Sequence, residues 1–272
     1  MIRILIATGG TAHSDVAVRL GAFLAQRSGG TPTLLTVVKN EADADKGQMI
    51  LQQAAVLAPT LNGASRKIRV GSPAEEIVLE AREGRYDLVV MGTSPSHTLI
   101  TRFLGSSPER VITQAPCPVV IAKKEITALN RVLVCEGGRS PSLMQRFLTR
   151  LGPLLSAKTD ITVLHVMSQI VAAPGVPGWQ LRASAEELIH EHTPEGEILE
   201  HDLEVLTRSE KQPRAKVRHG LVVDEIVDEA RSGNYDLVVI GAHVQDAGWE
   251  RVLLDNLAQQ IMLHVDRSVV VV

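Results

Sequence analysis

Short runs of apolar residues alternate along the chain with longer segments in which apolar residues recur every three or four positions. The first run is residues 4–7, and the segment after it, 15–27, places Val16, Leu20 and Leu24 at helical spacing. Four further apolar runs follow in the first half of the chain, at 33–38, 67–70, 87–91 and 118–122. Strands that alternate with helical segments are typical of parallel sheets with crossover helices. The pattern therefore predicts an α/β fold.

The second half of the chain repeats the first. Residues 67–92 and 216–241 match without a gap at 16 of 26 positions, more than shared hydrophobicity alone would give. Corresponding segments also occur at the starts and ends of the two copies, 4–10 with 132–138 and 119–121 with 269–271. Similarity over such a length indicates that a whole domain is present twice.

We therefore predict two domains, residues 1–125 and 128–272, joined by the charged and polar stretch 123–130. Each is expected to be a doubly wound, five-stranded parallel sheet in the order 3-2-1-4-5, with helices on both faces. At residue 72 a serine, a proline and Glu75 predict a helix that starts with a capping box. Gly29 and Gly30 predict the end of the first helix.

The second copy carries a longer insert at about residues 168–212. Its first part, 171–179, is rich in Pro and Gly and is predicted to be a loop. The charged part, 181–206, favours helix, interrupted at 194–196 by the sequence Pro-Glu-Gly. The pattern assigns no function to this insert.

Composition places the chain among ordinary globular proteins, with 44% hydrophobic and 22% charged residues and a formal net charge of −3. This charge gives no electrostatic reason to expect nucleic acid as a partner. No apolar run approaches the ~18 residues of a membrane span, and the short N-terminal run does not fit a signal peptide. Cys117 and Cys135 each lie beside an apolar run and fit buried thiols in a reducing compartment. We expect a cytoplasmic location.

Gly92 opens the stretch with the most informative chemistry, G-T-S-P-S-H-T-L-I-T-R-F-L-G-S-S, which ends at Ser107. It follows the apolar run 88–91 and precedes a helical segment that starts near Pro108. A strand end, a loop of small residues and a helix N-terminus together suit a phosphate group. In a doubly wound sheet strands one and four are neighbours, so this loop is expected to lie close to Gly9 at their carboxyl ends. Ligands of such sheets bind at this place.

With these residues the chain resembles the universal stress protein family, in its tandem two-domain form, over nearly the whole length. The family pattern G-x2-G-x9-G-[ST] is represented by Gly92, Gly105 and Ser106, with Pro95 in place of the second glycine. The flank A-P-C-P-V-V at 115–120 also resembles the family. The resemblance implies that the first copy binds an adenine nucleotide (ATP, ADP or AMP), with or without Mg²⁺.

The implied nucleotide site combines strand ends with the glycine loop. Val37 and Val119 would border the adenine, although both positions are equally explained as sheet core. Ser106 is equally explained as a helix cap completed by Glu109, and the loop residue His97 as merely solvated. The full set of site residues is Ala7, Thr8, Gly9, Val37, Met91, Gly92, Thr93, Gly105, Ser106, Ser107 and Val119.

Departures from the family pattern bear on this binding. The aspartate expected at the end of strand one, which holds the nucleotide's sugar in the family, is Gly9 here. Pro95 removes one backbone donor and fixes a dihedral angle. In the second copy Val244, Leu254 and Asp255 replace the second glycine, the third glycine and the serine. We therefore expect weak binding in the first copy and none in the second.

Catalytic and metal-binding residues are not indicated by the sequence. The glycine loop has no lysine, and no Ser-His-Asp order or carboxylate pair points to a reaction. His190, His192 and His201 lie among glutamates in the insert, but their spacing is not that of a zinc motif, and a solvated helical face explains them better.

The expected function is that of a stress-response regulatory protein whose first domain binds an adenine nucleotide weakly. Two alternatives stay open: a nucleotide-independent protein that binds an unknown protein partner through the insert, and a slow ATPase. By the resemblance, the final strands of the two copies, 118–122 and 268–272, pair antiparallel in an intramolecular pseudo-dimer, which covers two exposed sheet edges. A homodimer of whole chains is also left open.

Overall fold

The computed structural model describes residues 1–93, 107–138, 141–168, 178–241 and 249–272. Contacts divide the chain into a first unit, Met1–Thr127 with Ser268–Val271, and a second unit, Ala128–Arg267 with Val272. Among the described residues, no helix is long and apolar enough to cross a membrane. The sequence predictions that lie outside the described residues concern Ser94, Pro95, His97, Gly105, Ser106, Val244 and nearly all of the loop at 171–179.

The first unit alternates strands and helices as predicted. Its strands are β1 (Arg3–Ala7), β2 (Thr31–Val38), β3 (Ser65–Val70), β4 (Leu88–Gly92) and β5 (Val119–Ala122), and its helices are α1 (Ala12–Ser28), α2 (Ala44–Leu57), α3 (Pro73–Glu83) and α4 (Ser107–Gln114). The strands are parallel in the order β3-β2-β1-β4-β5. The predicted doubly wound topology is confirmed, and the side chains of the central strands β1 and β4 form the core.

The second unit contains the strands β6 (Arg131–Glu136), β7 (Asp160–Ser168), β8 (Gln212–Gly220) and β9 (Leu237–Ile240), and the helices α5 (Leu143–Leu151), α6 (Ala185–His190), α7 (Pro194–Arg208), α8 (Val222–Ser232) and α9 (Trp249–His264). These strands are parallel in the order β9-β6-β7-β8. The charged part of the insert is interrupted as predicted, but the break lies at residues 191–193, directly before the predicted residues 194–196, which begin α7. Pro194 is the first residue of α7, where its missing N–H is harmless, and Thr193 caps the helix by accepting from the Gly196 N–H at 3.0 Å.

The last strand of the chain, β10 (Ser268–Val271), belongs to the first unit. It pairs antiparallel with β5, with Val270 opposite Val120, so the predicted pairing of the two final strands is confirmed. The Ser268 hydroxyl accepts hydrogen bonds from the backbone N–H of Lys123 at 3.2 Å and of Lys124 at 3.4 Å. This strand therefore covers the edge of β5 that would otherwise be exposed.

Local signals at the helix ends succeed in one case and fail in another. The predicted end of α1 is confirmed, since Gly29 adopts a left-handed conformation with φ 61°. The capping box predicted for α3 is wrong, because the Ser72 side chain makes no capping hydrogen bond. The Glu75 carboxylate instead accepts a hydrogen bond from Arg110 at 2.6 Å, so it does not reach back to the start of its own helix.

A buried glutamate joins α3 to β3. Glu80 is 2% exposed, and its carboxylate accepts hydrogen bonds from Lys67 Nζ at 2.6 Å, Arg69 Nη1 at 2.8 Å and the Tyr86 hydroxyl at 3.2 Å. Burial alone would raise the pKa of Glu80, but the hydrogen bonds from Lys67 and Arg69 lower it below its ordinary value. The glutamate is therefore charged when folded, and its bonds fix the rotation of α3 against the sheet.

The second unit repeats this network. Glu229 is 1% exposed and accepts hydrogen bonds from Lys216 Nζ at 2.6 Å, Arg218 Nη1 at 3.1 Å and the Tyr235 hydroxyl at 2.8 Å. Burial would raise the pKa of Glu229, but the bonds from Lys216 and Tyr235 lower it. Burial raises the pKa of Tyr235 to about 12. The four residues occupy identical positions in the two copies, so the repeated sequence encodes this packing.

Replacement of Glu80 by alanine is expected to lower the free energy of unfolding by about 2–3 kcal/mol, because it leaves Lys67 and Arg69 without their shared buried acceptor. Glu83 also bonds Arg69, at 2.8 Å, but is 56% exposed, so Glu83→Ala should cost less than about 1 kcal/mol. Urea unfolding of the full chain measures both. Because the pKa of Glu80 is lowered, the difference should be present above about pH 4.3 and fade as the pH falls further. An equal loss of unfolding free energy in the two variants would contradict the structural role of the buried Glu80 carboxylate.

Candidate functional site

A cavity of about 370 Å³ opens at the carboxyl ends of β1 and β4, at the predicted switch point of the first sheet. Seven predicted site residues line it: Ala7, Thr8, Gly9, Val37, Met91, Gly92 and Thr93. Val119 is 1% exposed within β5 and does not line the cavity. Ser107 is the first residue of α4, next to Pro108, which does line the cavity. Gly105 and Ser106 lie outside the described residues.

Further residues that line the cavity were not predicted from the sequence. They are Thr11, His13, Ser14, Leu35, Pro73, Ile77 and Pro108. One of them carried a readable signal, since Leu35 lies two residues before the predicted Val37 on the same face of β2. The first turn of α1 could have been added because it follows β1 directly.

Hydroxyl groups organise the turn between β1 and α1. The buried Thr8 accepts a hydrogen bond from the Gly10 N–H at 3.3 Å and donates to the Ser14 hydroxyl at 3.3 Å. Ser14 Oγ also accepts from the Thr11 N–H at 2.9 Å, while Thr11 Oγ1 caps α1 by accepting from the Ser14 N–H at 3.4 Å. Gly10 has φ 68°, a left-handed conformation that favours glycine. The turn is therefore fixed by its own side chains.

The glycines at the two strand ends have different roles. A Cβ added at Gly92 would lie 2.3 Å from the carbonyl oxygen of His13, so glycine is required where β4 meets the first turn of α1. A Cβ added at Gly9 would have no atom of the described residues within 4 Å, its chain neighbours apart. Gly9 also lacks the positive φ of Gly10. Packing and backbone conformation therefore leave room for a side chain at Gly9.

The lining of the cavity combines an apolar wall with a polar rim. Leu35, Val37, Ile77 and Met91 supply the apolar wall from β2, α3 and β4. Residues with hydroxyl groups, together with His13 at the start of α1, supply the polar side. Among the described lining residues there is no Asp, Glu, Lys or Arg. Such a lining suits a flat apolar ring with a polar substituent and offers no carboxylate for acid–base chemistry.

The second unit has a different turn at the equivalent place. Glu136 occupies the position of Thr8, and its carboxylate accepts hydrogen bonds from the Gly138 N–H at 3.0 Å and the Leu143 N–H at 2.7 Å. Gly138 has φ 78°, as Gly10 does in the first unit at φ 68°. A Cβ added at Gly137, the counterpart of Gly9, would also have no atom within 4 Å. The two turns share a backbone conformation and differ in charge.

The histidines and cysteines of the described residues form no metal cluster with acidic side chains. His190, His192 and His201 are all exposed; His190 lies 3.3 Å from the Glu191 carboxylate, and His201 contacts Gln145. Cys117 is buried and Cys135 is half-buried, and neither forms a disulfide.

A doubly wound α/β sheet with a cavity at its switch point defines a class of domains that bind small ligands. The model of the universal stress protein family matches this chain twice, over residues 1–123 and 130–272. The chain belongs to the universal stress protein family, in a form with two tandem domains.

Individual relatives agree with this assignment. A universal stress protein of Thermus aquaticus is 31% identical over 135 residues, which cover 44% of this chain and 97% of that protein. One from Methanocaldococcus jannaschii is 50% identical over 54 residues, so the match spans only 32% of that relative and 20% of this chain. The crystal structure of a universal stress protein from Archaeoglobus fulgidus has a TM-score of 0.69 at 16% identity and covers 99% of this chain and 95% of that one, which supports the fold.

Gly92→Ala is expected to destabilise the protein by about 1–3 kcal/mol, because the new methyl group would overlap the His13 carbonyl oxygen and push β4 away from α1. Gly9→Ala is the matched control and should change the free energy of unfolding by less than about 0.5 kcal/mol, since its methyl group enters open space. Urea unfolding of both full-length variants measures the difference. A Gly92→Ala variant as stable as Gly9→Ala would show that the close contact is not required.

Proposed function

We propose that this protein is a regulatory member of its family whose first unit binds an adenine nucleotide weakly in the cavity at the ends of β1 and β4. One observation carries the proposal: the cavity groups the seven predicted residues from three separate strands around a volume of about 370 Å³. Pockets of roughly 300–1,000 Å³ are usual for small ligands. The apolar wall around Val37 and Met91 suits the adenine ring, and the rim around Thr93 suits the phosphates.

The weakness of the proposed binding follows from what the cavity lacks. With glycine at position 9, no carboxylate stands at the end of β1 to accept hydrogen bonds from the ribose hydroxyls. The described lining residues include no lysine or arginine to neutralise a phosphate. Phosphate binding would therefore rest on neutral donors and on the helix N-termini that face the cavity.

The same lining bears on Mg²⁺ and on hydrolysis. Protein sites for Mg²⁺ usually supply one or two carboxylates together with the phosphates of the nucleotide. The described lining residues supply none, so we propose binding that does not depend on Mg²⁺ and is not followed by rapid hydrolysis.

Isothermal titration calorimetry with ATP, ADP and AMP, with and without Mg²⁺, tests the binding, and a phosphate-release assay tests the hydrolysis. Absence of heat with every nucleotide at millimolar concentration would overturn the proposal.

The proposal also covers the cellular location of the protein and the assembly of whole chains. We place the protein in the cytoplasm and propose that whole chains assemble into a homodimer. Cell fractionation tests the location, and sedimentation equilibrium of the purified chain tests the assembly. A purely monomeric chain at micromolar concentration would remove the homodimer from the proposal without affecting the nucleotide site.

Gly9→Asp is expected to strengthen nucleotide binding about tenfold, because the new carboxylate would accept charge-assisted hydrogen bonds from the ribose, worth roughly 1.5–3 kcal/mol before ordering costs. The described residues leave room for the side chain, since none of their atoms, the chain neighbours apart, lies within 4 Å of the new Cβ. Calorimetry with AMP measures the change.

Two controls accompany this variant. Gly9→Asn has the same shape without the charge and should give a smaller gain. Gly137→Asp places the same residue at the equally open position of the second unit and should leave nucleotide binding unchanged. If Gly9→Asp bound AMP no more tightly than the original chain, the ribose would not lie at the end of β1.

Thr93→Asp is expected to weaken ATP binding at least about tenfold, because a negative charge at the cavity rim would repel the phosphates. Adenosine, which has no phosphate, should be affected much less. Thr93→Asn is the uncharged control and should bind ATP within about threefold of the original chain. Equal loss of ATP and adenosine in the aspartate variant would show that Thr93 does not face the phosphates.

A further inference from the structure

A buried carboxyl group on the insert helix of the second unit lacks a full set of partners. Asp202 of α7 is 0% exposed. Its Oδ1 accepts a hydrogen bond from the Ser142 hydroxyl at 2.5 Å. Its Oδ2 is buried and has no hydrogen-bond partner among the described residues. A buried charged oxygen without a partner is costly, so the neutral, protonated form of Asp202 suits this position.

The second carboxyl group of the pair is Glu136, at the end of β6. It is 4% exposed, and both its oxygens accept backbone N–H bonds, from Gly138 at 3.0 Å and from Leu143 at 2.7 Å. These bonds need an acceptor at each oxygen, so they place the proton of the pair on Asp202. Burial, and then the nearby Glu136 carboxylate, raise the pKa of Asp202 to about 7, against the opposing effect of the Ser142 bond.

The first unit has no such pair. Ile50 of α2 faces Gly10 as Ile198 of α7 faces Gly138, so α2 and α7 occupy equivalent places. Four residues further along, Asp202 therefore corresponds to Ala54, a buried methyl side chain. Glu136 in turn corresponds to Thr8. Both carboxyl groups are thus present in the second copy and absent at the corresponding places of the first.

A proton fits this pair better than a metal ion. Mg²⁺ and Ca²⁺ require six or more oxygen ligands, of which proteins usually supply several. Here one Glu136 oxygen accepts from the Gly138 N–H in the turn after β6 and the other from the Leu143 N–H at the start of α5, and these donors repel a cation. Only the Ser142 hydroxyl and the Asp202 carboxyl remain. In the part of the chain that the structure describes, no lysine or arginine bonds either carboxyl group.

The other titratable groups on the neighbouring elements are engaged elsewhere or exposed. On β7, the His165 ring lies 3.1 Å from the backbone oxygen of Glu136. On β8, the His219 ring contacts the backbone oxygen of Ala183 at 2.9 Å. On α5, Arg146 donates to the backbone oxygen of Val272 at 3.1 Å. On α7 itself, His201 is exposed beside Gln145. Among the described residues, the charge that acts on Asp202 is therefore that of Glu136.

We propose that Glu136 and Asp202 form a proton-binding site in the second unit, which holds one proton on Asp202 and couples the packing of α7 against β6 and α5 to pH. With the proton bound, Asp202 presents a donor to the Glu136 carboxylate across the contact. When the proton leaves, two negative charges face each other in a dry site and α7 packs less tightly. The first unit, with threonine and alanine at these places, lacks the response.

The direction of the pH dependence follows from linkage. The folded chain holds this proton up to about pH 7, whereas an unfolded aspartate releases it near pH 3.9. The stabilising contribution is therefore fully present below about pH 4 and is lost as the pH rises to 7. Over that interval the loss of this contribution should reduce the folding equilibrium constant about tenfold per pH unit. Above the interval the effect of Asp202 on that constant should no longer change with pH.

Carbon-13 NMR of the full chain labelled at the aspartate carboxyl carbon tests the proposal directly. In the original chain one aspartate should titrate near pH 7. Asp202→Asn should remove that signal, and Glu136→Gln should move its midpoint to lower pH because the repelling charge is gone. A chain in which every aspartate titrates below about pH 5 would overturn the proposal, and so would a midpoint that Glu136→Gln leaves in place.

Urea unfolding between pH 5 and pH 8 supplies a second measurement. The original chain should lose stability over this range, and Asp202→Asn, which keeps a neutral side chain of the same shape, should lose less. Glu197→Gln, at an exposed carboxylate on the same helix, should behave as the original chain does. If Asp202→Asn retained the full pH dependence, the site would not be its source. Should either variant fail to fold, the titration of the original chain still decides the question.

Discussion

In each unit, a buried glutamate carboxylate fixes one helix against the edge strand of its sheet. Glu80 binds two cationic side chains of β3 and the phenol of Tyr86, and Ile77, about one turn before Glu80 on the same helix, lines the cavity. The close sequence identity between the two copies lies in this network and its supports. This sequence identity therefore indicates a shared scaffold and does not indicate a shared ligand. The two units can for this reason be alike in this part of the sequence and still differ in the turn after the first strand.

The divergence between the units is concentrated at the end of the first strand. Gly10 and Gly138 adopt the same left-handed turn, at φ 68° and 78°. In the first unit a threonine hydroxyl completes that turn, and the surroundings stay neutral and open onto a cavity. In the second unit the Glu136 carboxylate completes the turn, and the buried Asp202 of α7 forms a second carboxyl group beside it. Because an unpaired charge is costly in such a place, the two acidic side chains are best understood as one change.

Much of the fold could be predicted from the sequence, since apolar periodicity and the internal repeat are local or directly comparable signals. What failed or was missed depends on distant partners. The Ser72 capping box was wrong because Glu75 bonds Arg110 from another helix. The contribution of His13 to the cavity depends on how α1 is placed against β4. Asp202 belongs to a segment that reads as a charged helical face, and only the packing of α7 shows that this one acidic side chain is buried.

Gly9 shows most clearly what sequence patterns leave undecided. In the sequence it is indistinguishable from Gly10, and both fit a tight connection between a strand and a helix. The structure separates them, since Gly10 requires a left-handed conformation while Gly9 has free space for a side chain. The turn therefore does not require glycine at position 9. If the first unit binds a nucleotide as proposed, the residue at position 9 alters the strength of that binding without altering the turn that supports it.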